Sequence, residues 1–133
     1  MIRVVRSKDR DERGAVAVEF ALVLPLVLMM VLALLQIGLW AKDQLVVLEV
    51  ARAGAREGAV TRDDHRTRQV AEDAASSLET SRLEIQVERG GELGTPLTVT
   101  VLYEDPPVLP FVGWLFPATV RLHATATMRQ EVA

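Results

Sequence analysis

The sequence predicts an α+β protein: a long N-terminal transmembrane helix that continues into a small head of a second helix and a three-stranded antiparallel sheet. Three observations carry this expectation. Residues 20–41 read FALVLPLVLMMVLALLQIGLWA, an apolar run without a charge. Residues 42–60 extend it with helix formers and no proline. From residue 82 onward the apolar residues alternate in three separate runs. Helices first and strands afterwards is the element order of an α+β chain, with the sheet covering the helices. At 133 residues the chain holds one ordinary domain.

The head of the sequence, residues 1–13, carries five basic residues (Arg3, Arg6, Lys8, Arg10, Arg13) against three acidic ones. The rest carries ten basic against fifteen acidic, for a net −3 overall. A short basic head before an acidic body is the asymmetry expected across a membrane, with the basic side cytoplasmic. The overall balance excludes a strongly basic nucleic-acid binder. Without cysteine there is no disulfide framework, thiolate nucleophile or thiolate metal site.

The apolar run is long enough to cross about 30 Å of hydrocarbon, which takes about 20 helical residues. A cleaved secretory signal is the first competitor. Its apolar region is typically 7–15 residues and ends in a small-x-small site. Here the run is longer and ends Leu39-Trp40-Ala41, with leucine where a small residue is needed. Trp40 falls where an indole prefers the interface. Gln36 is the only strongly polar side chain in the run. Pro25 removes a backbone hydrogen bond to Ala21, which neighbouring helices can repair in a membrane. Glu19 interrupts an apolar sequence that begins at Ala15. Such a carboxylate costs up to roughly 3 kcal/mol at mid-helix and less near the interface. Its simplest role is to face the positive end of the helix macrodipole.

Taken together, Arg13-Gly14-Ala15-Val16-Ala17-Val18-Glu19-Phe20 resembles the class III leader junction of type IV pilins and pseudopilins: a basic leader ending in Gly, four residues, then Glu beside an aromatic. With Ala21-Leu22-Val23-Leu24-Pro25 following, the segment is similar to TadE-like minor pseudopilins of the tight-adherence (Tad, or Flp) type IVb pilus system. The close resemblance covers residues 13–40. It implies a basic leader over 1–14, a transmembrane helix over 15–41 and an extracytoplasmic, pilin-like head over 42–133. It further implies cleavage between Gly14 and Ala15 by a prepilin peptidase, and assembly through Glu19, Phe20 and Pro25. The glycine suits a protease, because backbone without a side chain can be approached closely. The new Ala15 amine would be cationic near neutral pH and would pair with Glu19 of a neighbouring subunit. In low dielectric that pair is far stronger than in water. The implied partners are the peptidase, other pilins and pseudopilins, the inner-membrane assembly platform and the lipid bilayer. More than ninety residues after Ala41 favour a minor subunit with a head over the short major pilin.

In residues 42–60, Leu45, Leu48, Ala51, Ala55 and Ala59 form the expected apolar stripe, with Glu49, Arg52 and Arg56 on a polar face. Gly54 and Gly58 make a Gly-x3-Gly step. Outside the bilayer this reads first as tolerance of small residues and second as close packing. The helix is expected to end between 58 and 64. Residues 61–64 then supply caps for a second helix, whose stripe is Val70, Ala71, Ala74, Ala75 and Leu78 and whose end falls near residues 80–81. The expected strands carry Leu83, Ile85 and Val87; then Leu97, Val99, Val101 and Tyr103; then Val120, Leu122, Ala124, Ala126 and Met128.

Between the second and third strands, residues 106–117 hold four prolines, which exclude a regular helix or central strand. The loop is nonetheless apolar. Phe111, Trp114 and Phe116 are its candidate contacts with a partner or a membrane surface; the alternative is that it folds back over an open end of the core. His65 and His123 are isolated, so no metal site is expected, and no cofactor either. There is no phosphate-binding Gly-x4-Gly-Lys-[Ser/Thr] loop and no Gly-x-Ser-x-Gly elbow. Asp63-Asp64 and Glu104-Asp105 read as capping and turn residues, and Arg62, Arg66 and Arg68 as a solvated face. The chain is expected to be an enzyme's substrate, not an enzyme. An uncleaved single-pass envelope protein with a partner-binding head is the alternative.

Overall fold

The computed structural model describes residues 8–92 and 94–131. Residues 1–7, half of the basic head, lie outside the described residues. The first helix, α1, is a single run over Lys8–Val60 that passes through Pro25. It therefore starts upstream of the expected boundary at Ala15. The sequence Lys8-Asp9-Arg10-Asp11-Glu12-Arg13 explains the extension: most of these residues tolerate helix well, and acidic residues suit its positive end.

The second helix, α2, covers Asp64–Ala74. Asp63 is its N-cap; the carboxylate accepts from His65 N at 2.9 Å and Arg66 N at 3.2 Å. The helix ends earlier than the stripe to Leu78 implies. Leu78 is buried, but it lies past the helix, in turns that lead to a 3-10 turn at Thr80–Arg82. A buried apolar residue at helical spacing does not require the helix to reach it.

Three strands follow: β1 at Leu83–Arg89, β2 at Pro96–Asp105 and β3 at Val120–Arg129. They form an antiparallel sheet in the order β1-β2-β3. The register aligns the expected apolar faces in rows. Leu83, Tyr103 and Leu122 form one row, Ile85, Val101 and Ala124 the next, and Val87, Val99 and Ala126 the third. A fourth row joins Arg89, Leu97 and Met128. On the opposite face Thr98 pairs with Thr127 at 3.1 Å and Thr100 with Thr125 at 3.3 Å.

The core lies between this sheet and the second half of α1, with α2 packed on α1. Leu97, Val99 and Val101 of the central strand are fully buried against Val47, Val50, Ala51 and Ala55. The stripe on α1 holds Ala51, Ala55 and Ala59 as expected, with Leu48 packed against the core, and widens to take in Val47 and Val50. Leu45 is exposed, whereas Val47 and Val50 are buried. Spacing alone fits either edge of the stripe, and contact with the sheet takes Val47 and Val50 in place of Leu45. Gly54 and Gly58 pack closely, contrary to the first reading of their step. A Cβ on Gly54 would stand 3.2 Å from both Ala71 Cβ and Val99 Cγ1, and one on Gly58 would collide with Leu97 Cδ2.

Candidate membrane and assembly surfaces

The N-terminal half of α1 stands clear of the head. Phe20, Leu22, Leu26, Met30 and Leu34 are all at least 60% exposed. A continuous apolar face of this size does not stay in water. The helix is long and apolar enough to cross a membrane. Gly14, Ala15, Glu19, Phe20 and Pro25 are all exposed along this half. A Cβ on Gly14 would meet nothing within 4 Å. Glu19 shares a surface with Val16, Phe20 and Val23. Among the described residues, the head leaves these positions exposed. The Gly14–Ala15 bond lies inside the helix, so a protease that reads extended backbone must first unwind that turn.

The other end of the apolar run is different. Gln36 is fully buried although it belongs to the run. Its Oε1 accepts from the backbone N–H groups of Val108 and Leu109, at 3.0 and 3.1 Å. The 106–117 loop is therefore docked on α1 at the level of Gln36. Phe116 meets Trp40 edge to face, with ring centroids 5.0 Å apart. Val112 is buried, while Val108, Phe111, Trp114 and Leu115 point away from the protein. Of the three aromatic residues singled out in the loop, Phe116 thus sits on α1, and Phe111 and Trp114 face outward. Phe111 has a φ of +66°, and its carbonyl accepts from Trp114 Nε1 at 2.8 Å. Gln36 Nε2 and Trp40 Nε1 have no partner among the described residues.

Just beyond the run, Asp105 is buried at the end of β2, where the sequence suggested only a turn residue. Burial, then the charge and hydrogen bond of Asp43 on α1, push its carboxyl up to about 6, against the opposing pull of Arg82 and Lys42. At the far end of the head, Arg89 closes the fold. Its Nη1 donates to Gly58 O and Thr61 O, both at 2.8 Å, and its Nη2 to Thr67 Oγ1 at 3.2 Å. Its Nε pairs with Asp64. Sequence reading missed this residue. The available signal was its parity: Arg89 follows Leu83, Ile85 and Val87 at two-residue steps and so faces inward.

Among the described residues no three His, Asp or Glu side chains gather in a metal-holding group. Glu104 pairs with Arg121 at 3.5 Å on the exposed sheet face. His65, His123, Arg62, Arg66 and Arg68 are exposed.

The family model described as TadE-like protein matches residues 14–56. This N-terminal stretch is similar to that family. The match begins at Gly14, takes in Glu19 and the whole apolar run, and ends at Arg56, so the TadE-like segment falls entirely within α1. It includes the glycine at 54 that receives α2 and the sheet, but neither α2 nor the strands themselves. No curated protein and no solved structure matches the chain.

Proposed function

We propose that the chain is a minor pilin-like subunit of a Tad/Flp pilus, anchored in the inner membrane by residues 15–41 with its head outside the cytoplasm. The observation that carries this reading is the Gly14-x4-Glu19-Phe20 junction at the start of the TadE-like segment, followed by an apolar helix whose N-terminal part the head leaves bare. A prepilin peptidase cleaves after Gly14, and the helix beginning at Ala15 then packs among those of other pilins and pseudopilins. Glu19 receives the Ala15 amine of a neighbour, because a carboxylate in that apolar surface needs a cationic partner. The basic head supports a cytoplasmic N-terminus. The protein works as a substrate and a structural part, without a catalytic site or cofactor of its own.

Intact mass of the membrane-extracted full chain, with and without a matched prepilin peptidase, tests this. The expected mass corresponds to an N-terminus at Ala15 and depends on the peptidase. Glu19→Ala is expected to be cleaved normally and to fail in pilus assembly. A chain that keeps its first residues beside an active peptidase makes it a plain single-pass envelope protein. Normal assembly of Glu19→Ala removes the role given to that carboxylate.

A further inference from the structure

The 106–117 loop is fastened to α1 at Gln36, inside the apolar run read as the span. Residues 20–41 make about 33 Å of helix at 1.5 Å per residue, close to the hydrocarbon thickness of about 30 Å. Gln36 lies inside that length, about 7.5 Å from its end. The loop backbone is fastened there by two hydrogen bonds to Gln36 Oε1, and again at Trp40 through Phe116. Amphipathic elements that lie on membranes reach about 5–10 Å into the headgroup–acyl boundary, which is the same depth.

The composition of the loop fits that place. No charged residue occurs from Pro106 to Val120. Val108, Phe111 and Trp114 are each more than 70% exposed, and Leu115 is 54% exposed. At the same level Leu34, Leu35 and Ile37 of α1 are also exposed, so loop and helix form one apolar band. Apolar surroundings penalise unpaired backbone groups, and part of the loop's backbone is satisfied from within the protein. Four prolines have no N–H to satisfy. Those of Val108 and Leu109 go to Gln36, and that of Leu115 goes to Val112 O at 2.9 Å. The Trp114 indole N–H is already tied to Phe111 O.

We propose that this loop is an interfacial anchor: Val108, Phe111, Trp114 and Leu115 insert into the lipid headgroup–acyl boundary on the head side of the membrane that α1 crosses. The proposal rests on reading residues 20–41 as the span. It adds a second, non-helical point of attachment, which fixes the head against the membrane surface instead of leaving it free on a stalk.

Tryptophan depth quenching in phosphatidylcholine vesicles tests both statements separately. The chain has two tryptophans, so Trp40→Phe leaves Trp114 as reporter and Trp114→Phe leaves Trp40. With bromines near the boundary, about 5–10 Å below the surface, Trp114 is expected to lose roughly half its emission, as Trp40 does. This loss is expected to persist when the protein is diluted in lipid. Phe111→Trp in a chain lacking both native tryptophans supplies a second loop reporter in case one variant misfolds. If the loop reporters answer only to aqueous acrylamide while Trp40 answers to bromolipid, the span stands and the anchor is overturned. If the loop is shielded from both quenchers at high protein density only, a second copy covers it and the anchor is overturned. If Trp40 too escapes bromolipid, the span reading falls and takes the anchor with it.

Discussion

Arg89 shows how one side chain can join three elements. From the end of β1 it donates to the Gly58 carbonyl in the last turn of α1 and the Thr61 carbonyl just past it, to Asp64 at the start of α2 and to the Thr67 hydroxyl. The Gly58 carbonyl belongs to the unsatisfied groups that every helix end leaves. A planar guanidinium reaches several acceptors at once, and an ammonium does not. Replacing Arg89 with Met is therefore expected to cost about 2–3 kcal/mol, because partly buried carbonyls and a carboxylate lose their donor. Arg89→Lys should recover less than half of that. Urea unfolding of the detergent-solubilised chain, followed by circular dichroism, measures both; equal stability of all three forms removes the role. The residue was legible only in part. Its inward parity could be read from the strand, but its acceptors could not, since they depend on where α1 stops and α2 begins.

At the scale of the elements, the alternating runs specified the sheet almost completely. The rows Leu83–Tyr103–Leu122 and Ile85–Val101–Ala124 are the apolar faces set side by side, because a slip of one residue would turn each face to water. The helices were less legible. In residues 42–60 so many positions are small or apolar that several stripes fit, and only the sheet decides that Val47 and Val50 face inward while Leu45 does not. The glycine step likewise acquires its meaning from what lies above it. Gly58→Ala puts a methyl into Leu97 and is expected to cost about 1–3 kcal/mol from overpacking, exceeding any gain in helix propensity. Gly54→Ala, with contacts at 3.2 Å, is expected to come close to neutral, since the propensity gain of about 1 kcal/mol offsets a small adjustment. Thermal unfolding of the two variants side by side checks the contrast, and equal effects would show that the closer approach at Gly58 does not matter.

For the molecule as a whole, the joint between span and head sets the response to pH. Asp105 keeps its proton in the fold up to about 6, whereas the ordinary value is 3.8. Between these values the native state binds more protons than the unfolded chain, so stability falls as pH rises through that window. Below it both states are protonated and the effect ends. Asp105→Asn is expected to flatten this slope and to raise stability at pH 7 on the order of 1–2 kcal/mol. Melting temperatures of wild type and variant at pH 4.5 and pH 7 measure it; a gain equal at both values would assign the effect to packing instead of protonation. The long apolar helix was legible from its uncharged length, but the docking of the loop at Gln36 was not. In the sequence, 72 residues separate Gln36 from Val108, and nothing local links them.

The continuity of α1 has a mechanical consequence. One unbroken helix is both the membrane strut and the central support of the core, so the head has no swivel at the membrane surface. Helices longer than the local hydrocarbon thickness accommodate it by tilting. Any such tilt is passed in full to the sheet, whose threonine-lined outer face then leans by the same angle. The orientation of that face becomes a gauge of bilayer thickness, and a neighbour that straightens or inclines the helix inside the membrane re-aims the sheet outside it.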